Sequence, residues 1–266
     1  MTPSDIVFLS LAGLVSGVLA GFLGIGGGTL LVPVLIQLGF APVQATATSS
    51  LAILVTSSAG SFQNWRMGFL NIRQIVSIGA PAVLTAFAGT FVAHYVRPYL
   101  LLFGFGLLLI SNLYLVSLKK RVIRTAQFRE GRTATTGPAI HPITARIVTG
   151  ATAGFMAGLF GVGGGVILVP MQILLLGEQI KTAIRTSLGV IVITSLAAIA
   201  GHALNGNISF AAGLILGAGG LVGVQVSTRY LPKLSDSMVT QLFRSMLVVL
   251  SVFIFWQAWQ VYSAAS

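Results

Sequence analysis

Long apolar runs separated by short polar breaks cover almost the whole chain. As helices that rise 1.5 Å per residue, most of the runs are long enough to cross about 30 Å of hydrocarbon. Two runs, 29–39 and 166–176, have 11 residues each and cover only about half of that distance. The pattern predicts a bundle of membrane-spanning helices that includes two half-length helices. The apolar runs are 5–23, 29–39, 45–63, 73–93, 98–118, 145–160, 166–176, 183–201, 208–228 and 238–262.

The second half of the chain repeats the first. Residues 13–36 (GLVSGVLAGFLGIGGGTLLVPVLI) and residues 150–173 (GATAGFMAGLFGVGGGVILVPMQI) share 12 of 24 positions at an offset of 137. The sequence therefore predicts two homologous halves, residues 1–118 and 145–266, joined by a basic linker at residues 119–144. Shorter matches continue the repeat: Ser49-Ser50-Leu51 with Thr186-Ser187-Leu188, and Asn64 with His202.

The composition is that of a membrane protein. Only 7% of the residues are charged and 55% are hydrophobic, whereas about 25% are charged in an ordinary soluble domain. This excludes a soluble enzyme and a disordered chain, and the absence of Cys removes disulfide and thiolate chemistry. Because the first five residues carry Asp5 and no Lys or Arg, we expect the first run to be a retained span and not a signal peptide.

The 15 Lys and Arg residues predict how the chain crosses the membrane. If each short run extends the helix before it, the halves are parallel and five of these cations lie outside. If each short run turns back, each half has five segments, the halves are inverted, and only Arg97 of the 15 cations lies outside. Because basic residues collect in cytoplasmic loops, the inverted arrangement is favoured. It places residues 119–144 in the cytoplasm and both termini in the periplasm, and it accounts for the net charge of +11 without a nucleic-acid partner.

One set of glycines has a spacing of four residues. Such a stripe lies on one helix face and lets the backbone of another helix come close, so we expect these glycines to be packing positions. The set comprises Gly13, Gly17 and Gly21 and their repeats Gly150, Gly154 and Gly158.

A second set of glycines immediately precedes the two half-length runs. Gly26-Gly27-Gly28 and Gly163-Gly164-Gly165 are expected to interrupt the helix, with new helices starting at Thr29 and Val166. The free N–H groups and the positive dipole end of a helix start favour an anion. Two such ends, related by an inverted pseudo-twofold axis, would meet near the membrane midplane. The pattern predicts a central anion site, and a glycine hinge that serves packing alone is the alternative.

The two glycine blocks resemble a known family. Residues 21–39 (GFLGIGGGTLLVPVLIQLG) and residues 158–177 (GLFGVGGGVILVPMQILLLG) look like the TauE/SafE sulfite-exporter family of membrane transporters, and the resemblance covers nearly the whole chain. It implies a bacterial inner-membrane carrier for small sulfur-containing anions such as sulfite or a sulfonate. The family is broad, so the resemblance implies the fold and transport more firmly than the substrate.

Polar side chains within the apolar runs are further candidates for substrate contact. Ser50 and Ser187, which align in the repeat, could donate to an oxyanion or to the carbonyl four residues earlier. His202 could donate to an anion, carry a proton, or hydrogen-bond locally. Arg185 opens a span on the cytoplasmic side, where it would attract anions into a vestibule or anchor the helix at the headgroups. The candidate substrate-binding residues are Gly26, Gly27, Gly28, Thr29, Ser49, Ser50, Asn64, Gly163, Gly164, Gly165, Thr186, Ser187 and His202.

The positions of the acidic residues narrow the mechanism. No carboxylate lies in the middle of a span, which argues against a carboxylate proton relay and against a cation pathway. The sequence therefore predicts an all-α secondary transporter that exports a small anion by alternating access between inverted halves, without a cofactor. The alternatives are an anion channel of the same fold and a carrier for a small carboxylate without sulfur. The three scattered histidines offer no catalytic pair or metal site, so an enzyme is not expected. The four acids are Asp5, Glu130, Glu178 and Asp236.

Overall fold

The chain folds as a bundle of α-helices. The computed structural model describes residues 3–128, 141–203 and 206–265, and within these ranges it contains ten α-helices, one 3-10 turn at Leu231–Lys233 and no strand. The helices are α1 Pro3–Leu23, α2 Gly28–Gln37, α3 Pro42–Arg66, α4 Ile72–Tyr95, α5 Pro98–Phe128, α6 Pro142–Phe160, α7 Gly165–Leu175, α8 Ile180–Ala203, α9 Phe210–Tyr230 and α10 Asp236–Ala265.

Six of the described helices are long and apolar enough to cross a membrane: α1, α4, α6, α8, α9 and α10. Helix α3 has 25 residues, but its many Ser and Thr residues lower its hydropathy. Helices α2 and α7 have 10 and 11 residues, so they are the two half-length helices that the sequence predicts. The prediction of an all-α polytopic membrane protein is confirmed.

Helix α5 is longer than its apolar run. The sequence predicts that the polar linker starts at residue 119, but the helix continues to Phe128. Residues 119–128 include four Lys and Arg residues, one Ala and one Gln, which favour helix, and contain neither Gly nor Pro. The described chain resumes at His141, which caps the start of α6 by accepting a hydrogen bond from the backbone N–H of Ile143. The middle of the predicted linker, residues 129–140, lies outside the described residues.

The helices of the two halves interleave through the glycine stripes. Helix α1 packs on α9, and its repeat α6 packs on α4. A Cβ atom at Gly17 would lie 2.7 Å from the Cα of Gly220, and one at Gly154 would lie 2.6 Å from the Cα of Ala82. The stripes are therefore packing faces, as the spacing of four predicts. The first helix of each half packs against the fourth helix of the other half, so neither half forms a separate body.

The order of the contacts gives the directions of these helices. Gly13 contacts Leu216 and Gly17 contacts Gly220, so α1 and α9 run parallel. In the same way α3 runs parallel to α9, because Leu51 contacts Gly213 and Val55 contacts Gly217. Helices α1 and α3 therefore point the same way, and α2 carries the chain back between them.

Helices α3 and α8 cross in the interior and run antiparallel. A Cβ atom at Gly26 would touch both Ile53 of α3 and Ile191 of α8, so these two isoleucines lie side by side. Seven residues further along α3, Gly60 contacts Leu188, which precedes Ile191. In a parallel pair Gly60 would instead face residues beyond Ile191.

Candidate functional site

Two glycine breaks interrupt the chain before α2 and α7, and we call residues 24–28 the first break and residues 161–165 the second break. The φ angles of Gly26 and Gly27 are 71° and 84°, and those of Gly163 and Gly164 are 69° and 74°. This left-handed region is open to glycine at little cost and disfavours other residues. The new helices begin at Gly28 and Gly165, one residue earlier than the sequence predicts.

The two breaks touch each other, backbone against backbone. A Cβ atom at Gly28 would lie 2.7 Å from the Cα of Val162, and a Cβ atom at Gly165 would lie 2.5 Å from the Cα of Ile25. No side chain larger than hydrogen fits at either position without movement of the opposite backbone. The starts of α2 and α7 therefore lie together in the interior, although 137 residues separate them in the sequence.

Buried hydroxyl groups satisfy several carbonyl oxygens of the breaks. Ser16 Oγ donates to the carbonyl of Gly27 at 3.0 Å, and Thr194 Oγ1 donates to that of Gly163 at 3.0 Å. Ser49 Oγ donates to the carbonyl of Gly161 at 2.8 Å and so links α3 to the second break. Sequence reasoning missed Ser16 and Thr194, because nothing local distinguishes a hydroxyl that reaches another segment from one that bonds its own helix.

The N–H groups at the two helix starts lack such partners. Neither α2 nor α7 has a side-chain cap. The N–H groups of Leu30 and Leu31 donate to the carbonyl of Gly27, and Ile167 and Leu168 donate equivalently to that of Gly164. Because the first N–H groups of a helix have no intrahelical acceptor, the two leading residues of each helix remain as donors with no partner among the described residues. These residues are Gly28, Thr29, Gly165 and Val166.

Thr29 adds a side-chain donor at the first break. Its side chain is fully buried, and its Oγ1 atom has no hydrogen-bond partner among the described residues. Together with the leading N–H groups of α2 and α7, this hydroxyl gives the pair of breaks a set of buried donors that have no partner among the described residues. A site of that kind suits a compact anion, since oriented N–H groups and helix starts stabilise negative charge.

Two isoleucines cover the breaks. A Cβ atom at Gly26 would lie 2.9 Å from Ile53 Cγ2 and 3.1 Å from Ile191 Cγ2. A Cβ atom at Gly163 would lie 3.0 Å from Ile53 Cγ2 and 2.9 Å from Ile191 Cγ2. Both side chains are fully buried. The sequence carried no signal for them, because apolar residues are expected throughout the spans.

The candidate hydroxyls in α3 and α8 differ in their roles. Ser50 Oγ donates to the carbonyl of Thr46 in its own helix at 2.9 Å, which is the local alternative that the sequence left open. Ser187 Oγ accepts a hydrogen bond of 2.9 Å from Gln172 Nε2. Thr186 is buried beside it.

The contacts also shift the repeat by one residue beyond α2 and α7. Leu51 of α3 contacts Gly213 of α9, and in the other half Gly189 of α8 contacts Ile75 of α4. In both cases the corresponding positions of the two halves, 51 with 189 and 75 with 213, are 138 residues apart. This offset equates Ser187 with Ser49, whereas the sequence alignment equated it with Ser50. The cause is that α7 is one residue longer than α2.

Asn64 and His202 lie away from the isoleucines at the breaks, but His202 interacts with the backbone of Gly158, three residues before the second break. Each lies 11 residues beyond Ile53 or Ile191, about 16 Å along its helix, and because α3 and α8 are antiparallel the two residues lie at opposite ends of this pair. Both are buried. Both amide atoms of Asn64 and the Nε2 atom of His202 lack hydrogen-bond partners among the described residues.

Arg185 lies in α8, six residues before Ile191. Its guanidinium carbon stands 3.7 Å from the centre of the Phe69 ring, in the loop between α3 and α4. The backbone position of Arg185 lies about 9 Å along the helix from Ile191, and the cation–π contact holds its side chain against Phe69. Among the described residues, no three His, Asp or Glu side chains lie together as a metal site would require.

The helical bundle and its paired interior breaks define a class of protein, the polytopic α-helical membrane transporters. More particularly, the chain belongs to the sulfite exporter TauE/SafE family, which matches residues 9–254.

Curated relatives carry names of the same kind. The probable membrane transporter protein YunE of Bacillus subtilis is 26% identical over 268 residues, covering 92% of this chain and 95% of its own. A probable membrane transporter protein of Methanocaldococcus jannaschii is 28% identical and covers 71% of this chain and 68% of its own. The sulfite exporter TauE/SafE family protein 1 of Arabidopsis thaliana is 29% identical over 42% of this chain and 26% of its own. No solved structure matches the chain.

Proposed function

We propose that the protein carries a small sulfur-containing anion, sulfite or a short sulfonate, through the paired breaks. The observation that carries this proposal is the set of buried donors without partners among the described residues at the breaks. The starts of α2 and α7 are uncapped, Thr29 Oγ1 is unpaired, and hydroxyls already occupy the carbonyls of Gly27, Gly161 and Gly163. A sulfite or sulfonate group has three acceptor oxygens, enough to meet donors from both breaks at once. The sulfite exporter name of the family supports this substrate class.

The transport mechanism that we propose is alternating access between two inverted repeats. The antiparallel crossing of α3 and α8 and the return of the chain through α2 support the inversion. The charge pattern also supports it, because the inverted arrangement would put 14 of the 15 cations on one side, as the positive-inside rule favours. Ile53 and Ile191 stand on the two crossing helices and cover both breaks. A relative movement of α3 and α8 would uncover the site to one side at a time, and this cover favours a carrier over an open channel.

The direction that we propose is export across the bacterial inner membrane, with residues 119–144 in the cytoplasm and both termini in the periplasm. An inside-negative potential drives a monoanion outward by about 2.3 kcal/mol per ~100 mV, which is roughly a 50-fold gradient. An anion carrier therefore exports without a coupling ion.

Sulfite efflux from proteoliposomes tests this function. The purified protein should release trapped sulfite at a rate that saturates with concentration and rises when an inside-negative potential is imposed. Vesicles without protein supply the control. Failure to move sulfite and short sulfonates under any potential would contradict the proposed substrate class. An efflux rate that does not change with the imposed potential would contradict uncoupled export.

A further inference from the structure

A polar cavity lies well away from the breaks, at the C-terminal ends of α3 and α9. It has a volume of about 600 Å³. Gln63 is the residue of α3 that lines the cavity. It lies ten residues beyond Ile53, about 15 Å along the helix. The cavity therefore does not form part of the central site. Its lining residues are Gln63, Gln225, Val226, Arg229, Tyr230 and Lys233.

The cavity carries positive charge that the described residues do not neutralise. Arg229 and Lys233 line it together with two amides, and no acidic residue does. Arg229 has no hydrogen bond or ion pair with any described residue, and the ammonium of Lys233 stands 5.0 Å from the Tyr230 ring. By contrast, Lys181 on the neighbouring helix end is paired with Asp236 at 3.5 Å. The cavity thus offers a guanidinium, an ammonium and amide donors to an anion.

The internal repeat shows that the fold does not require these polar residues. At the offset of 138 that relates the contacts of α9 to those of α4, Gln225 corresponds to Phe87 and Arg229 corresponds to Phe91. These phenylalanines are 42% and 67% exposed, as residues that face lipid would be. The same pair of helix ends is therefore apolar in one half and basic in the other. The basic ends face the cytoplasm in the proposed arrangement, as the positive-inside rule expects, and here they also line a cavity that an anion can enter.

We propose that this cavity binds the anionic phosphate headgroup of a membrane lipid. Val226, which lines the cavity, is 50% exposed, and Val222 one turn earlier is 53% exposed. These residues continue from the cavity as an exposed apolar strip along α9, against which an acyl chain can lie. Trp65 and Tyr230, both exposed, are the residue types that mark the membrane interface. A free phosphate would use the cations but leave the apolar strip of Val222 and Val226 without a partner, so the lipid is the better occupant.

Lipid binding to the full-length protein in detergent, followed by native mass spectrometry, tests this proposal. The wild type should retain phosphatidylglycerol more strongly than phosphatidylcholine. The double variant Arg229→Gln/Lys233→Gln should bind phosphatidylglycerol at least about tenfold more weakly, because two charged hydrogen-bond donors to the phosphate are lost. Arg73→Gln is the matched control, since Arg73 is exposed at the start of α4 and does not line the cavity. Arg229→Lys, which keeps the charge, should retain part of the binding.

Other outcomes would overturn the proposal. Equal losses in the double variant and in Arg73→Gln would mean that the cations act only through overall charge. Phosphatidylcholine bound as tightly as phosphatidylglycerol would mean that no anion is selected. Inorganic phosphate that binds at the same residues and displaces the lipid at equal concentration would assign the cavity to a soluble ligand. Thermal unfolding of each variant without added lipid shows that the losses do not come from misfolding.

Discussion

Thr29 is the residue at the breaks whose polar group the fold does not use. A buried hydroxyl without a partner costs about 1–3 kcal/mol, and Thr29 Oγ1 is such a group. The corresponding residue of the second half is Val166, which has nearly the same shape and no hydroxyl. The second half accepts an apolar residue at this position, and we propose that the hydroxyl of Thr29 meets the ligand during transport.

Replacing this hydroxyl separates ligand binding from folding. We predict that Thr29→Val lowers sulfite affinity by about tenfold or more, since a hydrogen bond to a charged group is lost. The temperature of unfolding should stay the same or rise. Thr149→Val is the matched control, because Thr149 Oγ1 is also buried without a described partner but lies on α6, 12 residues before the second break. Titration calorimetry and thermal unfolding measure both effects, and equal losses of affinity in the two variants would contradict the site.

Close contact between backbones holds the helices of the two halves together. In a membrane, apolar surface alone does not drive helices together, so small residues that permit close approach are decisive. Such contacts join α1 to α9 and α6 to α4. The halves are therefore linked through their first and fourth helices, while α3 and α8 cross between these pairs.

The packing of α1 on α9 makes Gly17 intolerant of a single methyl group. We predict that Gly17→Ala loses most of the folded protein, because its Cβ atom would overlap the Gly220 backbone. Gly104→Ala should fold at least as well as the wild type, because its Cβ atom would lie 3.5 Å from Phe160 at ordinary contact distance and Ala favours helix. Size-exclusion chromatography of the detergent-solubilised variants measures the folded fraction. Equal yields of the two variants would contradict the proposed close packing.

The isoleucine cover on α3 and α8 makes a prediction about transport. Ile53→Ala or Ile191→Ala should raise sulfite flux per folded molecule severalfold and weaken its saturation, since a shorter side chain leaves the breaks uncovered. Each change should also destabilise the protein by about 2–5 kcal/mol. Leu109→Ala in α5, another fully buried position, should cause a similar loss of stability without the rise in flux. A rise of equal size in Leu109→Ala would show that loosened packing alone causes it.

At the scale of the whole molecule, the sequence predicted what local patterns encode. The apolar runs, the two half-length helices and the glycine stripes are all local signals, and the structure contains them. The sequence could not show that α1 packs on α9, that Thr194 reaches the second break, or that Ile53 and Ile191 cover both breaks. Each of these depends on which segments meet in three dimensions. The shift of the repeat from Ser50 to Ser49 also needed the structure, because it comes from one added residue in α7.

The proposed inversion predicts the side of the membrane on which each loop lies. In this chain without Cys, Ser235→Cys, between α9 and α10, should react with an impermeant thiol reagent only from the cytoplasm. His94→Cys, at the end of α4, should react from the periplasm and serves as the control, since both arrangements of the halves place it there. Both positions are exposed. Labelling of Ser235→Cys in intact cells would contradict the inverted arrangement.

Selectivity for charge tests the central claim, a donor-rich anion site at the paired breaks, most directly. Titration calorimetry of the purified protein should detect saturable binding of sulfite or methanesulfonate. Methylammonium, a small cation, should not bind, because it would bring donors to a site that already has free donors and no carboxylate. Preferential binding of methylammonium, or no binding of either anion by folded protein, would contradict the account.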